Sequence, residues 1–516
     1  MIKESQEHCP PVLLFELQFV SHQPLVAPRL QLFADVFWFC SSMYHPTHQA
    51  TGWSVAMKRS SIEIFGKPFY SNMDLTFGIE LEFIAIYPDG HFEHYGGPHT
   101  AARCGQSNQC EYILCEAFRS KRIPVTREAV QGNNGKFSNW IIGTDSHNLT
   151  AEEELHVPQG YRVEPLELAS RKFHFYTDDW QTEIKAVLEI LSGFETSGVK
   201  FVTNEQTGFH VHVGNHDRLW PLRTVKSLLQ LVTAFEWCFD TLHMVHRIVH
   251  PIYDLCQYMT PSWFFLQKPK LGAQNRLDSP RDWLATIESV KTIAEFCKLF
   301  QFDEGDFEGE TNGHFSAYNF DNLIPTDRRA IPTGTIEFRQ HAGTLEFKDI
   351  VAWITLTSKL VEWCHLCQDP TPTMSLSRYI CTREFKLHHL FEAMGLDGLT
   401  WEYYDLQTDS PCDMAQCRGE RAMQQVSGTV LEGLVAAVEQ TRYNNSQSGV
   451  VQRTIDEKFA NGQYGRWPAA VEYLFEYRAE FEGRLALSGL QREINRIAVV
   501  DDDDEDDDSD GMDFDE

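Results

Sequence analysis

Three short segments of the chain alternate apolar side chains with charged or imidazole side chains. Their sequences are TFGIELEF (76–83), GFHVHVG (208–214) and TIEFRQH (335–341). Successive side chains of an extended strand point to opposite faces, so this alternation predicts three β-strands, each with one apolar and one polar face. In one sheet, the strands would bury an apolar face and present carboxylates, imidazoles and a guanidinium on the other.

The polar faces carry the candidate functional residues. By segment, they are Glu80 and Glu82, then His210 and His212, then Glu337, Arg339 and His341. Each pattern also has a structural interpretation: a solvated edge strand for the carboxylates, two hydrogen-bonded core histidines, and an intrastrand ion pair. Paired carboxylates at this spacing suit magnesium or manganese, and an HxH pair is common in zinc sites. Ile84 and Ile86 continue the carboxylate face, which favours a central, partly buried strand.

Composition limits the classes of protein to which this chain can belong. It has 516 residues, is 42% hydrophobic and carries a formal net charge of −30, twelve units of which come from acidic residues in 501–516. A chain of this length and composition can bury a full core. The charge argues against a nucleic-acid-binding protein, which would show a basic face. The acidic tail is expected to be disordered and to be available to a basic protein partner.

Cysteine usage and hydropathy predict the compartment. Thirteen cysteines at irregular spacing do not form the pattern of a secreted disulfide scaffold, which favours a reducing environment. The single CxxC pair, Cys364 and Cys367, has no second CxxC after it, so we expect no metal or redox role for it. The N-terminal apolar stretches are too short for a membrane span, and residues 1–11 lack the features of a signal peptide. We therefore expect a cytoplasmic protein with no membrane association, with the nucleus as an alternative.

The periodicity of the chain divides it into four regions. Residues 1–72 lack a clear period and are expected to be a poorly ordered extension. Strand-like and helix-like segments alternate over 73–368, as in a catalytic domain, and 369–497 are predicted to be mainly helical. Residues 498–516 form the acidic tail.

The order ExE, HxH, ExR resembles that of the glutamine synthetase and glutamate–cysteine ligase superfamily. FGIELEF, WIIGTDS, ELAS, GFHVHVG, AYNFDNL and TIEFRQHAGT look like the amidoligase family within it, over about residues 75–365. The resemblance implies an α+β fold, with a curved antiparallel sheet of the glutamine synthetase-like type, packing helices and a C-terminal helical region.

The resemblance also implies ligands and residue roles. ATP and magnesium or manganese would be the cofactors, and the catalytic residues would be Arg339 and Glu337. The implied metal ligands are Glu80, Glu82, Glu167, His210 and Glu337. The implied contacts to nucleotide phosphate are His210, His212 and Arg339. Further candidates for substrate binding are Asp145, Asn319 and His341, although a buried Asn319 could instead satisfy the backbone.

The function implied is that of an ATP-dependent carboxylate–amine ligase. It would form an amide or peptide bond through an acyl-phosphate intermediate, with an amino acid or a peptide as substrate. Two alternatives stay open: a zinc-dependent hydrolase using His210, His212 and Asp145, and a noncatalytic nucleotide- or peptide-binding module.

Overall fold

The fold is built around a central β-sheet. A computed structural model describes residues 63–64, 67–68, 73–92, 109–127, 138–195, 198–249, 261, 280–300, 316–325, 332–366, 387, 390–391 and 422–464. Of the predicted extension 1–72, only the short strands β1 (Glu63–Ile64) and β2 (Lys67–Pro68) are described, and they pair with each other. The acidic tail 498–516 and Cys367 lie outside the described residues.

Among the described residues, nine strands form an open sheet around one long central strand. That strand is β3 (Thr76–Pro88), and the others are β4 (Val125–Arg127), β5 (Trp140–Thr144), β6 (Tyr161–Ala169), β7 (Phe173–His174), β8 (Lys200–Val202), β9 (Gly208–Gly214), β10 (Tyr318–Asn319) and β11 (Ile336–Ala342). The strand order is β10-β11-β9-β3-β6-β5-β4, and β7 and β8 also pair with β3. The central position predicted for the ExE strand is therefore confirmed.

One strand pair departs from the predicted antiparallel sheet. All pairings within the nine-stranded sheet are antiparallel except that of β4 with β5, which is parallel. Twelve residues separate these two strands in the sequence, which gives the chain room for the crossover that a parallel pair needs.

Helices connect and cover the strands. They are α1 (Gln109–Ser120), α2 (Ala151–Glu154), α3 (Trp180–Glu195), α4 (Leu222–Ala234), α5 (Glu236–Asp240), α6 (Val245–Ile248), α7 (Pro280–Ser289), α8 (Ile293–Cys297), α9 (Phe347–Leu366), α10 (Glu432–Ser446) and α11 (Ser448–Ala460). As predicted, a helix follows each of the strands β9 and β11. The short helix α2 begins at a capping box, in which the Thr150 hydroxyl accepts from the Glu153 backbone and the Glu153 carboxylate accepts from the Thr150 backbone. The predicted helical C-terminal region is confirmed over α10 and α11.

The two faces of β3 pack against different cores. Phe77, Ile79, Leu81 and Phe83 are buried in the main hydrophobic core, as the alternation predicted. Ile84 and Ile86 point to the opposite face and form a second, smaller core with Leu434, Val435 and Val438 of α10. Helix α10 thus covers one end of the face that carries the carboxylates. Among the described residues, no helix is long and apolar enough to cross a membrane.

A β-bulge in β11 overturns one prediction about side-chain direction. Phe338 pairs with Val211 and His341 pairs with Phe209, so two residues of β11 lie opposite one residue of β9. The extra residue reverses the alternation, since a one-residue shift moves a side chain to the other face. His341 therefore lies on the main-core face, where its half-buried ring packs against Phe209 and Trp353. Its predicted place beside Glu337 and Arg339 is wrong.

Candidate active site

Four adjacent strands bring the predicted carboxylates and imidazoles together on one face. The register pairs Glu80 with His210, and Glu82 with Glu167 of β6. On the next strand, Glu337 pairs with His212. Directly opposed side chains in a sheet have Cβ atoms about 5 Å apart, so these pairs are in contact range.

Glu80 is the centre of the arrangement. Its Oε2 lies 3.1 Å from His210 Nδ1, and its Oε1 lies 2.9 Å from His212 Nε2. His210 is fully buried, and its Nε2 is 3.5 Å from Glu82 Oε1. His210 therefore lies between the two carboxylates of the ExE motif, with Nδ1 next to Glu80 and Nε2 next to Glu82.

Glu82 is also held by the backbone. The Gly208 N–H donates to Glu82 Oε2 at 2.5 Å. A Cβ atom at position 208 would lie 2.5 Å from His210 Nε2 and 3.2 Å from Glu82 Oε2. Glycine at this position is therefore required for the close approach of the two side chains.

Glu337 has a charged partner and a neutral one. The Arg339 guanidinium donates to Glu337 Oε1, and the Asn319 amide donates to Glu337 Oε2 at 2.8 Å. Asn319 Oδ1 in turn accepts from the Asp321 backbone N–H at 2.9 Å. The intrastrand ion pair expected from the sequence is thus present, and the buried Asn319 is bonded at both ends of its amide.

The buried charges shift one another's pKa values. Burial alone would raise the pKa of Glu80, but His212 and His210 hold it well below its usual range. Burial opposes the charge on Glu337 as well, and Arg339 and His212 lower its pKa. The pKa of His212 is raised to about 9 because Glu80 and Glu337 outweigh the effect of burial. His212 is therefore a cation at neutral pH.

Glu167 responds in the opposite direction. Burial raises its pKa well above the usual range, and the negative charges of Glu80, Asp145 and Glu82 raise it further. A carboxyl group in this position favours a proton or a bound cation.

His147 is a member of the site that the sequence reasoning missed. Its Nδ1 lies 3.2 Å from Asp145 Oδ2, and its Nε2 lies 3.1 Å from the Phe83 carbonyl oxygen. Both partners are acceptors, so the geometry suits a doubly protonated ring. Burial alone would lower the pKa of His147, but Asp145 and the Phe83 carbonyl raise it, and hydrogen bonding to His147 lowers the pKa of Asp145 to about 2. The DSH sequence at 145–147 was the available signal, since residues two apart in an extended segment can share a face.

The donor set fits a hard divalent cation. Glu80, His210 and Glu337 each offer a ligand atom within 4.8 Å of the others, and Glu82, Asp145 and His147 form a second group with the same spacing. In the second group a doubly protonated His147 leaves the two carboxylates as the ligands for a cation. Carboxylate oxygens predominate, as magnesium and manganese sites require. Asp145 belongs to the group around Glu82 and does not join His210 and His212, so the ligand set expected of the zinc hydrolase is not assembled among the described residues.

The chain was compared with known structures, protein sequences and family models. A solved structure described as a bifunctional glutathione synthetase from Pasteurella multocida aligns with a TM-score of 0.28 and 11% identity, over 75% of this chain and 52% of that chain. The chain thus spans about half the length of that protein. A search of curated protein sequences finds no match. A family model described as "Putative amidoligase enzyme" matches residues 73–361, more than half of the chain, and confirms the resemblance inferred from the motifs. The chain therefore belongs to this amidoligase family.

Proposed function

We propose that the protein is an ATP-dependent carboxylate–amine ligase that forms an amide or peptide bond through an acyl phosphate. The observation that carries this proposal is the register of β6, β3, β9 and β11, which brings Glu167, Glu80, His212 and Glu337 onto one face. Substrates of the amino acid or peptide class supply both the carboxylate and the amine.

The reaction consists of two transfers. An oxygen of the substrate carboxylate attacks the γ-phosphorus of ATP, and the bond to ADP breaks. The amine nitrogen then attacks the acyl carbon, the bond to phosphate breaks, and the nitrogen loses a proton. Phosphoryl transfer depends mainly on positioning and on positive charge near the phosphoryl oxygens.

The site supplies that positive charge from two side chains. His212, with its pKa raised to about 9, lies 3.8 Å from Glu337 Oε1 through its Nε2, and the Arg339 guanidinium binds the same oxygen. We assign His212 and Arg339 to contacts with phosphate oxygens. We assign the same contact to His210, because it lies beside Glu80 and Glu82. Magnesium or manganese bound by Glu80, Glu82, Glu167, His210 and Glu337 would neutralise further phosphate charge.

Two of the sequence-predicted substrate residues are assigned positioning roles. Both ends of the Asn319 amide bind protein atoms, one of them Glu337, so Asn319 orients that carboxylate. Asp145 forms a hydrogen bond with His147, and the other ring nitrogen of His147 binds the backbone carbonyl of Phe83 in β3. Asp145 therefore holds the His147 ring in place. Replacing Asn319 with alanine should therefore lower kcat about tenfold with little change in the KM for the carboxylate substrate.

The experiment supplies ATP, magnesium and a panel of amino acids and short peptides to the full-length protein. We expect ADP release that requires both an acid and an amine, and transfer of ¹⁸O from a labelled carboxylate to phosphate. Arg339→Ala and Glu80→Gln should each lower the rate by about 10²-fold or more, in the range seen when one group that stabilises transition-state charge is removed. Glu154→Gln, which changes an exposed carboxylate of α2, is the matched control.

Two results would contradict the proposal. Phosphate without carboxylate ¹⁸O would identify an ATP hydrolysis reaction with no acyl phosphate. An amide-forming rate that is unchanged in Arg339→Ala would contradict the role proposed for Arg339 in β11.

A further inference from the structure

A third group of potential metal ligands lies at the rim of the sheet, where β3 begins, away from the site described above. Asp74, His174 and His216 each offer one ligand atom, and these atoms lie within 4.8 Å of one another. They come from three separate parts of the chain: the residues before β3, strand β7, and the turn after β9. Asp74 and Glu80 are six residues apart, roughly 20 Å in an extended chain, so this group is distinct from the one that contains Glu80.

The pairing of the strands creates this group. Thr76 pairs with His174 on one side of β3 and with Gly214 on the other, which brings β7 and the end of β9 to the start of β3. Asp74 Oδ1 lies 3.2 Å from His174 Nδ1, and the rings of His174 and His216 have centroids 5.0 Å apart.

The turn that carries His216 is fixed by several contacts. His216 has a φ of 52°, an uncommon backbone conformation for a residue with a side chain. Its backbone N–H donates to Thr76 Oγ1 at 3.2 Å, and the Asn215 side chain accepts from the Asp74 backbone N–H at 3.1 Å. These bonds hold the histidine next to the start of β3.

A second carboxylate orients the His216 ring. His216 Nδ1 lies 2.8 Å from Asp217 Oδ2, and Lys172 Nζ donates to Asp217 Oδ1 at 3.1 Å. A carboxylate on one imidazole nitrogen directs the other nitrogen toward a metal and increases its basicity, as in many zinc proteins. Here that arrangement leaves His216 Nε2 as the ligand atom.

The donor set indicates which cation binds. Two imidazole nitrogens and one carboxylate oxygen suit zinc and other late first-row metals, whereas magnesium and calcium prefer all-oxygen sites. We propose that Asp74, His174 and His216 form a zinc site that ties the start of β3 to β7 and to the turn after β9. Three protein ligands leave a coordination position for water. The proposal does not depend on the ligase function.

The test measures zinc binding to the full-length protein by equilibrium dialysis against zinc alone, in the presence of excess magnesium. The wild-type protein should bind one equivalent more than His174→Ala or His216→Ala. His156→Ala, which removes an exposed histidine elsewhere, should bind as much as the wild type. Cobalt in place of zinc should give the intense visible absorption of a low-coordinate site in the wild type and lose it in both variants.

Zinc bound at the central site must be distinguished from zinc bound by Asp74, His174 and His216. His210→Ala should still bind the equivalent of zinc at the rim and should keep the cobalt spectrum, whatever the substitution does to ligase activity. Asp74→Asn is a second, conservative variant on an exposed side chain, and it should weaken zinc binding at least tenfold without altering the fold. Equal zinc stoichiometry in wild type and His174→Ala, or loss of the equivalent in His210→Ala alone, would overturn the proposal.

Discussion

Replacement of Lys458 by methionine should destabilise the protein strongly, because it leaves a buried carboxylate without its cation. Lys458 Nζ of α11 lies 2.6 Å from Asp240 Oδ2, and the two residues are 4% and 0% exposed. Removing one partner of a buried ion pair costs about 3–5 kcal/mol. Asp240 would still accept from the Tyr464 hydroxyl at 2.6 Å and from the Gln340 amide at 3.1 Å. We therefore expect a loss near the lower limit, about 3 kcal/mol.

Urea unfolding followed by tryptophan fluorescence measures this loss. The double variant Asp240→Asn/Lys458→Met should recover part of it, since an amide costs far less to bury than an unpaired carboxylate. The buried Glu236, which lies 3.5 Å from Lys458 Nζ, loses that cation in both variants. Lys185→Met, on the exposed side of α3, should change the free energy of unfolding by less than about 0.5 kcal/mol. A Lys458→Met loss below about 1 kcal/mol, or a double variant no more stable than the single one, would refute the reasoning.

The pH dependence of the same loss follows from the pKa of Lys458. Burial alone would lower that pKa, but Asp240 and Glu236 raise it above its ordinary value. A raised lysine pKa contributes stability that is complete below the unfolded value of about 10.4 and is lost as the pH rises through the folded value. The difference between wild type and Lys458→Met should thus be constant from neutral pH to about pH 10 and decrease only above it.

Two further perturbations test the geometry of the candidate site. Gly208→Ala places a methyl group 2.5 Å from His210 Nε2 and should lower kcat at least tenfold, whereas Gly193→Ala, where a Cβ meets nothing within 4 Å, should leave kcat unchanged. His147→Gln should cost more stability at pH 6 than at pH 9, because a raised histidine pKa stabilises the fold below about 6.5 and loses that effect as the pH rises through the folded value. Its partner Asp145, with a pKa of about 2, stays charged over this whole range, so equal losses at the two pH values would contradict the assignment of a charged pair.

The strands of the site could be predicted because the alternation is strong and the rule behind it is local. Phe77 and Leu81 are buried where a period of two places them, with Glu80 between them on the other face. The β11 bulge could not be predicted in this way. It exists only in the pairing with β9, and a period counted along β11 alone assigns His341 to the wrong face.

Residues brought together by folding were also outside the reach of sequence reasoning. His147 acquires its role from the carbonyl of Phe83, which is 64 positions away in the sequence. His174 and His216 meet only because β7 and β9 both pair with the start of β3. Neither histidine belongs to a motif with regular spacing, so only the tertiary structure identifies them.

Glu167 lies in the candidate site next to other carboxylates, and the cost of its charge to the fold can be measured. Its raised pKa means that the folded protein binds a proton there more tightly than the unfolded chain does, so its ionisation destabilises the fold as the pH rises above about 4.3. Glu167→Gln should therefore raise the melting temperature of the metal-free protein at pH 7.5, and the gain should vanish near pH 4. Magnesium should stabilise the wild type more than the variant, because the cation replaces the proton as the partner of the carboxylate. The difference between their melting temperatures should therefore decrease. Glu154→Gln should show neither effect. A metal-free Glu167→Gln protein that melts below the wild type at pH 7.5 would mean that Glu167 is a structural group, whose charge the surrounding side chains already compensate.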